Sequence, residues 1–253
     1  MTSFSSPWPI PPGQPKLAPG VVDVWCLPLD LPADRIEELL ASLADDERER
    51  AARYQFDRHR RRFVACRGQV RGILAGYVND RPAALRFQSG PRGKPALGAP
   101  WSDSSIHFNA SNSEEVGLLA VALDRELGVD VELVREPRDF EGLAAQFFAR
   151  GEVEQLRLLP ENRRIEAFFN CWTRKEAVLK AVGTGLAFPL DKVVVTLAPG
   201  EPAGVVVYDN DPATASQWWL ASLDPLPGYV GALAARGSPL EVHCWRSSPN
   251  CSH

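Results

Sequence analysis

Three carboxylates and a lysine carry the strongest chemical signal in this chain of 253 residues. In the segment GVDVELV, 128–134, Asp130 and Glu132 stand two apart, the period at which strand side chains return to one face. Val129, Val131 and Leu133 then point the other way, into a core. Two like charges side by side repel, and a hard divalent cation is the usual means of offsetting them. Spacing alone equally fits a solvent-facing acidic pair on an amphipathic strand. Downstream, FFNCWTRKEAVLKAVGTGL (168–186) puts Trp172, Glu176 and Lys180 at i, i+4 and i+8 on one helix face. Glu176 ahead of Lys180 is the favourable order for a helix ion pair, so an ordinary surface bridge is one reading. A tryptophan and two charges nevertheless make an unusual solvent stripe. Lys175 sits to one side of that face, within reach of an anion held near it. Gly183 and Gly185 end the helix and let backbone come close to a ligand. Upstream, Gly93-Lys94-Pro95 is a rigid turn that presents a cation.

These groups must be held by a framework that the hydrophobic pattern outlines. Residues 21–29 read as a strand and 32–53 as a helix with Leu39, Leu40 and Leu43 on its apolar stripe. A second helix covers 60–78, and 85–88 is a short strand before a turn-rich stretch. Residues 106–110 and 116–123 read as a hairpin joined by 111–115, and 127–134 as the acidic strand. Helices resume over 140–159, broken near 149–151, and over 163–182. Strands follow near 192–197, 204–208, 217–222, 229–235 and 241–245. Each half mixes helices with a small sheet, the element order of an α+β rather than a doubly wound α/β protein. The length allows one large domain or two of about 125 residues.

Composition sets the outer limits. The chain is 45% apolar and 24% charged, the profile of a soluble globular protein. Its longest apolar run, 118–123, falls far short of the roughly 20 residues a membrane span needs. The Pro-, Ser- and Gly-rich stretch 1–20 does not read as a signal peptide. Five scattered cysteines with no CxxC pair suggest reduced thiols and a cytoplasmic protein. Four histidines show no zinc spacing, and the overall acidity argues against nucleic-acid binding. The net charge of −4 is uneven. Residues 48–71 hold nine arginines against two acids, a surplus of seven positive charges that leaves the remainder at −11. Such a run is either a solvated helix face or an anion site, because the planar fork of arginine donates paired hydrogen bonds to phosphate.

Taken together, RGKPAL (92–97), IHFNASNS (106–113), GVDVE (128–132) and FNCWTRKEAVLKAVGTGL (169–186) resemble 4′-phosphopantetheinyl transferases of the Sfp type, in order and spacing, over roughly residues 20–200. The resemblance implies a monomer of two similar α+β lobes, 21–125 and 126–253, behind an N-terminal arm of 1–20, with the active site between the lobes. It implies transfer of the phosphopantetheine arm of coenzyme A to a serine of an apo acyl or peptidyl carrier protein, the holo-carrier-protein synthase reaction, with Mg²⁺. In that scheme Asp130, Glu132 and Glu176 hold the metal against the pyrophosphate. Glu176 or a metal-bound water takes the serine proton, and Lys180 contacts the phosphates. Lys94, Pro95, Ser111, Asn112 and Lys175 line the coenzyme A site. Arg60 and Arg67, with Arg62 as an alternative, bind the 3′-phosphate, unless the basic segment steers an acidic carrier instead. Many family members carry histidine where this chain has Asn112, which removes a charge from the phosphate site. A module that binds coenzyme A or a carrier without transfer, and a Mg²⁺-dependent phosphohydrolase, are the competing readings.

Overall fold

Strand β1, Val21–Pro28, is buried along seven of its eight positions, so both of its faces are covered. It belongs to a computed structural model that describes residues 6–90, 93–135, 139–183 and 188–248. On one side β1 pairs in parallel with β11 (Glu241–Arg246), and on the other it pairs antiparallel with β5 (Val116–Leu123). Strand β4 (Ile106–Ser113) completes this sheet, in the order β11-β1-β5-β4. A second sheet runs β6-β10-β9, from Leu127–Leu133, Tyr229–Arg236 and Trp218–Leu223. The final strand, β11, thus lies in the sheet of the chain's first half.

The period of two sorts the side chains into layers. Trp25, Leu27, Leu119 and Val121 meet the helices α1 (Ala33–Ser42) and α3 (Asp57–Val78). Their neighbours Val24, Cys26, Leu118 and Ala120 meet Leu127, Val129, Val131 and Leu233 of the second sheet. The far face of that sheet, Leu220, Ala232 and Ala234, packs on Val178 and Leu179 of α6 (Glu161–Val182). The result is helix, sheet, sheet, helix, an α+β architecture as the element order implies.

Several boundaries differ from the sequence reading for identifiable reasons. The helix expected over 32–53 is two, α1 and α2 (Asp45–Ala52). The Glu47 carboxylate accepts the Ala44 amide at 2.9 Å, and Asp45, Asp46 and Glu47 crowd the first turn of α2, where the helix dipole favours them. The helices α4 (Phe140–Phe147) and α5 (Arg150–Leu158), by contrast, divide close to the break expected near 149–151, with Glu152 accepting from the Ala149 amide at 2.8 Å. Within the turn-rich stretch, β2 (Phe87–Ser89) pairs with β3 (Pro95–Leu97). The short strands β7 (Val193–Val195) and β8 (Val205–Tyr208) and the single-turn helix α7 (Pro212–Ala215) precede β9. Helix α6 ends on Gly183 at φ +75°, the left-handed stop expected there, while Arg92 and Gly185 lie outside the described residues. Cys26, Cys66, Cys171 and Cys244 are unbridged. Among the described residues no helix is long and apolar enough to cross a membrane.

Candidate functional site

Strands β4 and β6 are facing edges of the two sheets, and side chains rather than a backbone ladder join them. Every second residue of β4 reaches across at a near-constant offset. His107 Nδ1 lies 3.1 Å from Glu126 Oε1, and Asn109 Oδ1 accepts the Val129 amide at 2.8 Å. Ser111 Oγ donates to Asp130 Oδ1 at 2.7 Å, and Ser113 Oγ donates to Glu132 Oε2 at 2.6 Å. Asp130 and Glu132 do share a face, as their spacing requires, and that face looks at β4 and α6 rather than at open solvent. Asp130 is 4% exposed.

Gly128 brings α6 onto this face. A Cβ there would sit 2.1 Å from the Ala177 carbonyl oxygen and 2.3 Å from the Ala181 nitrogen, so only glycine lets the helix backbone rest on β6. Two residues further along the strand, Lys180 Nζ donates to Asp130 Oδ1 at 2.6 Å and to Ser111 Oγ at 2.7 Å. Glu176, one turn earlier on α6, faces the same centre. Burial pushes its carboxyl above the ordinary carboxylate range, and the Asp130 and Glu132 charges add to that while Lys180 opposes it. Burial likewise raises Glu132, against the Ser113 hydrogen bond, with the Asp130 charge pushing further up. Asp130 Oδ2 is buried with no hydrogen-bond partner. Among the described residues no three His, Cys, Asp or Glu side chains are drawn together closely enough to form a ligand cluster as they stand. The centre is therefore a crowd of acceptors in which one ammonium neutralises one carboxylate oxygen.

Two grooves flank it along β4. One, of about 430 Å³, is lined by Lys94, Pro95, His107, Glu126 and the end of α6 at Ala181–Gly183. Here Lys94 Nζ bonds Glu126 and the carbonyls of Leu127 and Ala181, the last two at 3.0 and 3.3 Å. The His107 contact, and then Lys94, pull Glu126 down to about 2. The other groove, of about 390 Å³, is lined by Arg50, Tyr54, His59, Arg62, Arg67 and Asn112, among others. Arg50 stands over the Phe63 ring at 5.1 Å and Arg67 over the Phe87 ring at 4.4 Å, ring contacts that orient a guanidinium, and Arg67 Nε is in addition paired with Glu47. Burial pushes the thiol of Cys66, in the same wall, up to about 11.

Ser111, Asp130, Glu132, Glu176 and Lys180 thus converge, with Lys94 and Pro95 on one side and Asn112 and Arg67 on the other. Other expectations need correction. Lys175, placed by the sequence reading among coenzyme A contacts, is wholly buried. It bonds Glu152 at 2.6 Å and the Leu190 carbonyl at 2.9 Å, and also the Val193 carbonyl. One residue from Glu176 is about 100° around the helix, so Lys175 ties α6 to α5 and β7 instead. Removing one member of a buried pair strands the other, so Lys175→Met is expected to lose about 3–5 kcal/mol of stability in denaturant unfolding. Arg60 pairs with Asp57 at 2.8 Å and does not line the arginine groove. Trp172 packs edge-on to Phe147 and flat on Phe168, anchoring α6 in its core rather than facing the carboxylates.

Two arginines of the basic segment are buried and structural. Arg71 has no exposed surface and donates to the Ser42, Pro82 and Leu85 carbonyls and to Glu47. Arg62 bonds Asp30 and Glu114 and holds both carboxyls below their usual range. Sequence reasoning missed Ser113 and Gly128 as site residues. The alternation Asn109, Ser111, Ser113 was the available signal for the first. For Gly128 the signal was a glycine opening the GVDVE motif inside a strand pattern, the usual mark of another backbone coming close.

A family profile described as the 4′-phosphopantetheinyl transferase superfamily matches residues 126–234, which include all three carboxylates and Lys180. The 4′-phosphopantetheinyl transferase HetI of Nostoc sp. is 41% identical over 224 residues, 88% of this chain and 91% of that protein. The phosphopantetheinyl transferase of Thraustochytrium sp. is 29% identical over 217 residues, covering 79% of this chain and 73% of its own length. The 4′-phosphopantetheinyl transferase psf-1 of Bacillus pumilus is 28% identical over 209 residues, 83% and 85% of the two chains.

Proposed function

The chain belongs to the 4′-phosphopantetheinyl transferase superfamily, and from that premise we propose that it moves the 4′-phosphopantetheine arm of coenzyme A onto a serine of an apo acyl or peptidyl carrier protein, with Mg²⁺. The observation that carries this reading is the carboxylate centre itself, Asp130, Glu132 and Glu176 around Lys180.

The donor set fits Mg²⁺. All three groups are hard oxygen donors, Asp130 Oδ2 is buried without a partner, and Glu132 and Glu176 are held above their ordinary range by burial and by neighbouring negative charge. A divalent cation would offset that charge. When bound by Asp130, Glu132 and Glu176 it would supply Lewis acidity to the pyrophosphate. The protein's own groups do the rest. Lys180, already shared between Asp130 and Ser111, neutralises phosphate charge. Arg50 and Arg67, in the groove beyond Asn112, give the 3′-phosphate planar donors, which offsets the missing histidine charge at position 112. Glu176, its carboxyl raised, takes the proton from the carrier serine as that oxygen attacks the β-phosphorus. The bond from that phosphorus to the bridging oxygen breaks, and adenosine 3′,5′-bisphosphate leaves. Phosphoryl transfer asks chiefly for alignment and charge neutralisation, which a site walled by β4, β6 and α6 provides.

The test is a panel of apo carrier proteins incubated with coenzyme A and Mg²⁺, read by intact mass. Carriers that gain one phosphopantetheine support the proposal. Coenzyme A bound but never transferred across the whole panel would identify a binding module instead.

A further inference from the structure

A two-residue turn, Glu114–Glu115, joins β4 to β5, with Ser113 paired opposite Val116. Its first residue is left-handed, Glu114 having φ +48°. Hairpin turns take glycine, asparagine or aspartate at such a position, because only these escape the crowding at Cβ or offset it with a local hydrogen bond. The other described non-glycine residues at positive φ, Asn79, Asp124, Asp209 and Asn210, obey that rule. Glu114 does not. A side chain held in a sparsely populated conformation persists only where its surroundings over-determine it, and such positions cluster at functional sites.

The surroundings of Glu114 are three arginines. Its Oε2 accepts from Arg62 Nη1 at 2.7 Å and from Arg58 Nη2 at 3.4 Å, and its Oε1 accepts from Arg135 Nη1 at 3.0 Å. Arg58 and Arg62 stand one turn apart on α3, and Arg135 follows β6. One carboxylate therefore ties the hairpin tip to a helix and to the end of the acidic strand. Arg62 is the anchor: its side chain is 10% exposed, and Asp30 grips it through both carboxylate oxygens at 2.7 and 2.9 Å. The residue before Glu114 is Ser113, the last of β4. Its Oγ donates to Glu132 Oε2 at 2.6 Å and accepts the Leu133 amide at 3.2 Å. We propose that Glu114 is a positioning residue: fixed by Arg58, Arg62 and Arg135, it holds the hairpin tip so that Ser113 presents Glu132 to the metal. This inference rests on the Mg²⁺ reading of the carboxylate centre. Hydrogen bonds behind a metal ligand orient it, and losing one costs about 10–100-fold in metal affinity. Glu114 acts one step further back, through Ser113.

Mg²⁺ is titrated calorimetrically into the full-length protein saturated with coenzyme A and without carrier, so that binding is read in the absence of turnover. Ser113→Ala and Glu114→Gly should each weaken Mg²⁺ binding by about tenfold or more. The double variant should bind no more weakly than the weaker single, since both changes act along one path. Glycine suits φ +48° better than glutamate does, so a loss in Glu114→Gly does not come from a strained turn. Undiminished Mg²⁺ affinity in Glu114→Gly overturns the proposal. So do losses that multiply in the double variant, the mark of two independent structural defects. A wild type that binds no Mg²⁺ overturns the metal reading itself and this inference with it. Should Glu114→Gly misfold, Glu114→Gln, which keeps the length and one acceptor oxygen but not the charge, takes its place in the cycle with the same outcomes expected.

Discussion

Glu176→Gln is expected to slow transfer by about 10²–10⁴-fold, the contribution of a positioned base, while the variant melts at or above the wild-type temperature in metal-free buffer at neutral pH. The two effects have one cause. Burial and the Asp130 charge raise the Glu176 carboxyl above its ordinary 4.5, so the folded protein binds that proton more tightly than the unfolded chain does. Stability is then fully present below the unfolded value and falls as pH rises through the folded one. Glutamine removes the charge and with it that loss. Melting curves taken from acid to neutral pH should therefore converge below about pH 4.5 and separate above it, with the variant higher. Mg²⁺ should raise the wild-type midpoint at neutral pH and raise that of Glu176→Gln less. A variant less stable than wild type throughout would show that Glu176 is structural.

Among the described glycines, Gly128→Ala is expected to be the most disruptive change. Its Cβ would fall inside the contact distance of two backbone atoms of α6, 2.1 Å from the Ala177 carbonyl oxygen and 2.3 Å from the Ala181 nitrogen. Backbone in the middle of a helix cannot rotate aside as a side chain can, so α6 must translate. Overpacking of this kind costs about 3 kcal/mol, or roughly 6–12 °C in a protein of this size. The same movement carries Lys180 and Glu176 off Asp130, so turnover should fall even at temperatures where the variant is folded. Retained activity with an unchanged midpoint would mean that α6 does not set the geometry of the site.

The longer apolar strands were legible, and β1, β5 and β6 lie within a residue or two of where the pattern puts them, whereas β3 was read as turn and β4 runs through Ser113, beyond the end at 110 that its pattern suggested. The carboxylates were legible because a two-residue and a four-residue spacing each fix a face. The roles of the basic residues were not legible. Lys175 and Lys180 differ by five positions in one helix, yet one is consumed by Glu152 and two carbonyls and the other faces Asp130 and Ser111. Arg71 and Arg67 likewise separate into a buried staple and a groove wall. What divides them is which acceptors the fold brings near, a long-range property that charge counting does not contain. The break between α1 and α2 depended on the local acceptor Glu47, which also pairs with Arg67 and Arg71 twenty or more residues later.

The central claim is that the centre around Asp130 transfers the arm to a protein acceptor. It is tested most directly by following adenosine 3′,5′-bisphosphate and holo carrier together in one reaction with coenzyme A, Mg²⁺ and an apo carrier protein. The two should appear in equal amounts with the wild type, and neither above background with a folded Asp130→Ala. Nucleotide released without modified carrier, or undiminished transfer by Asp130→Ala, would contradict it.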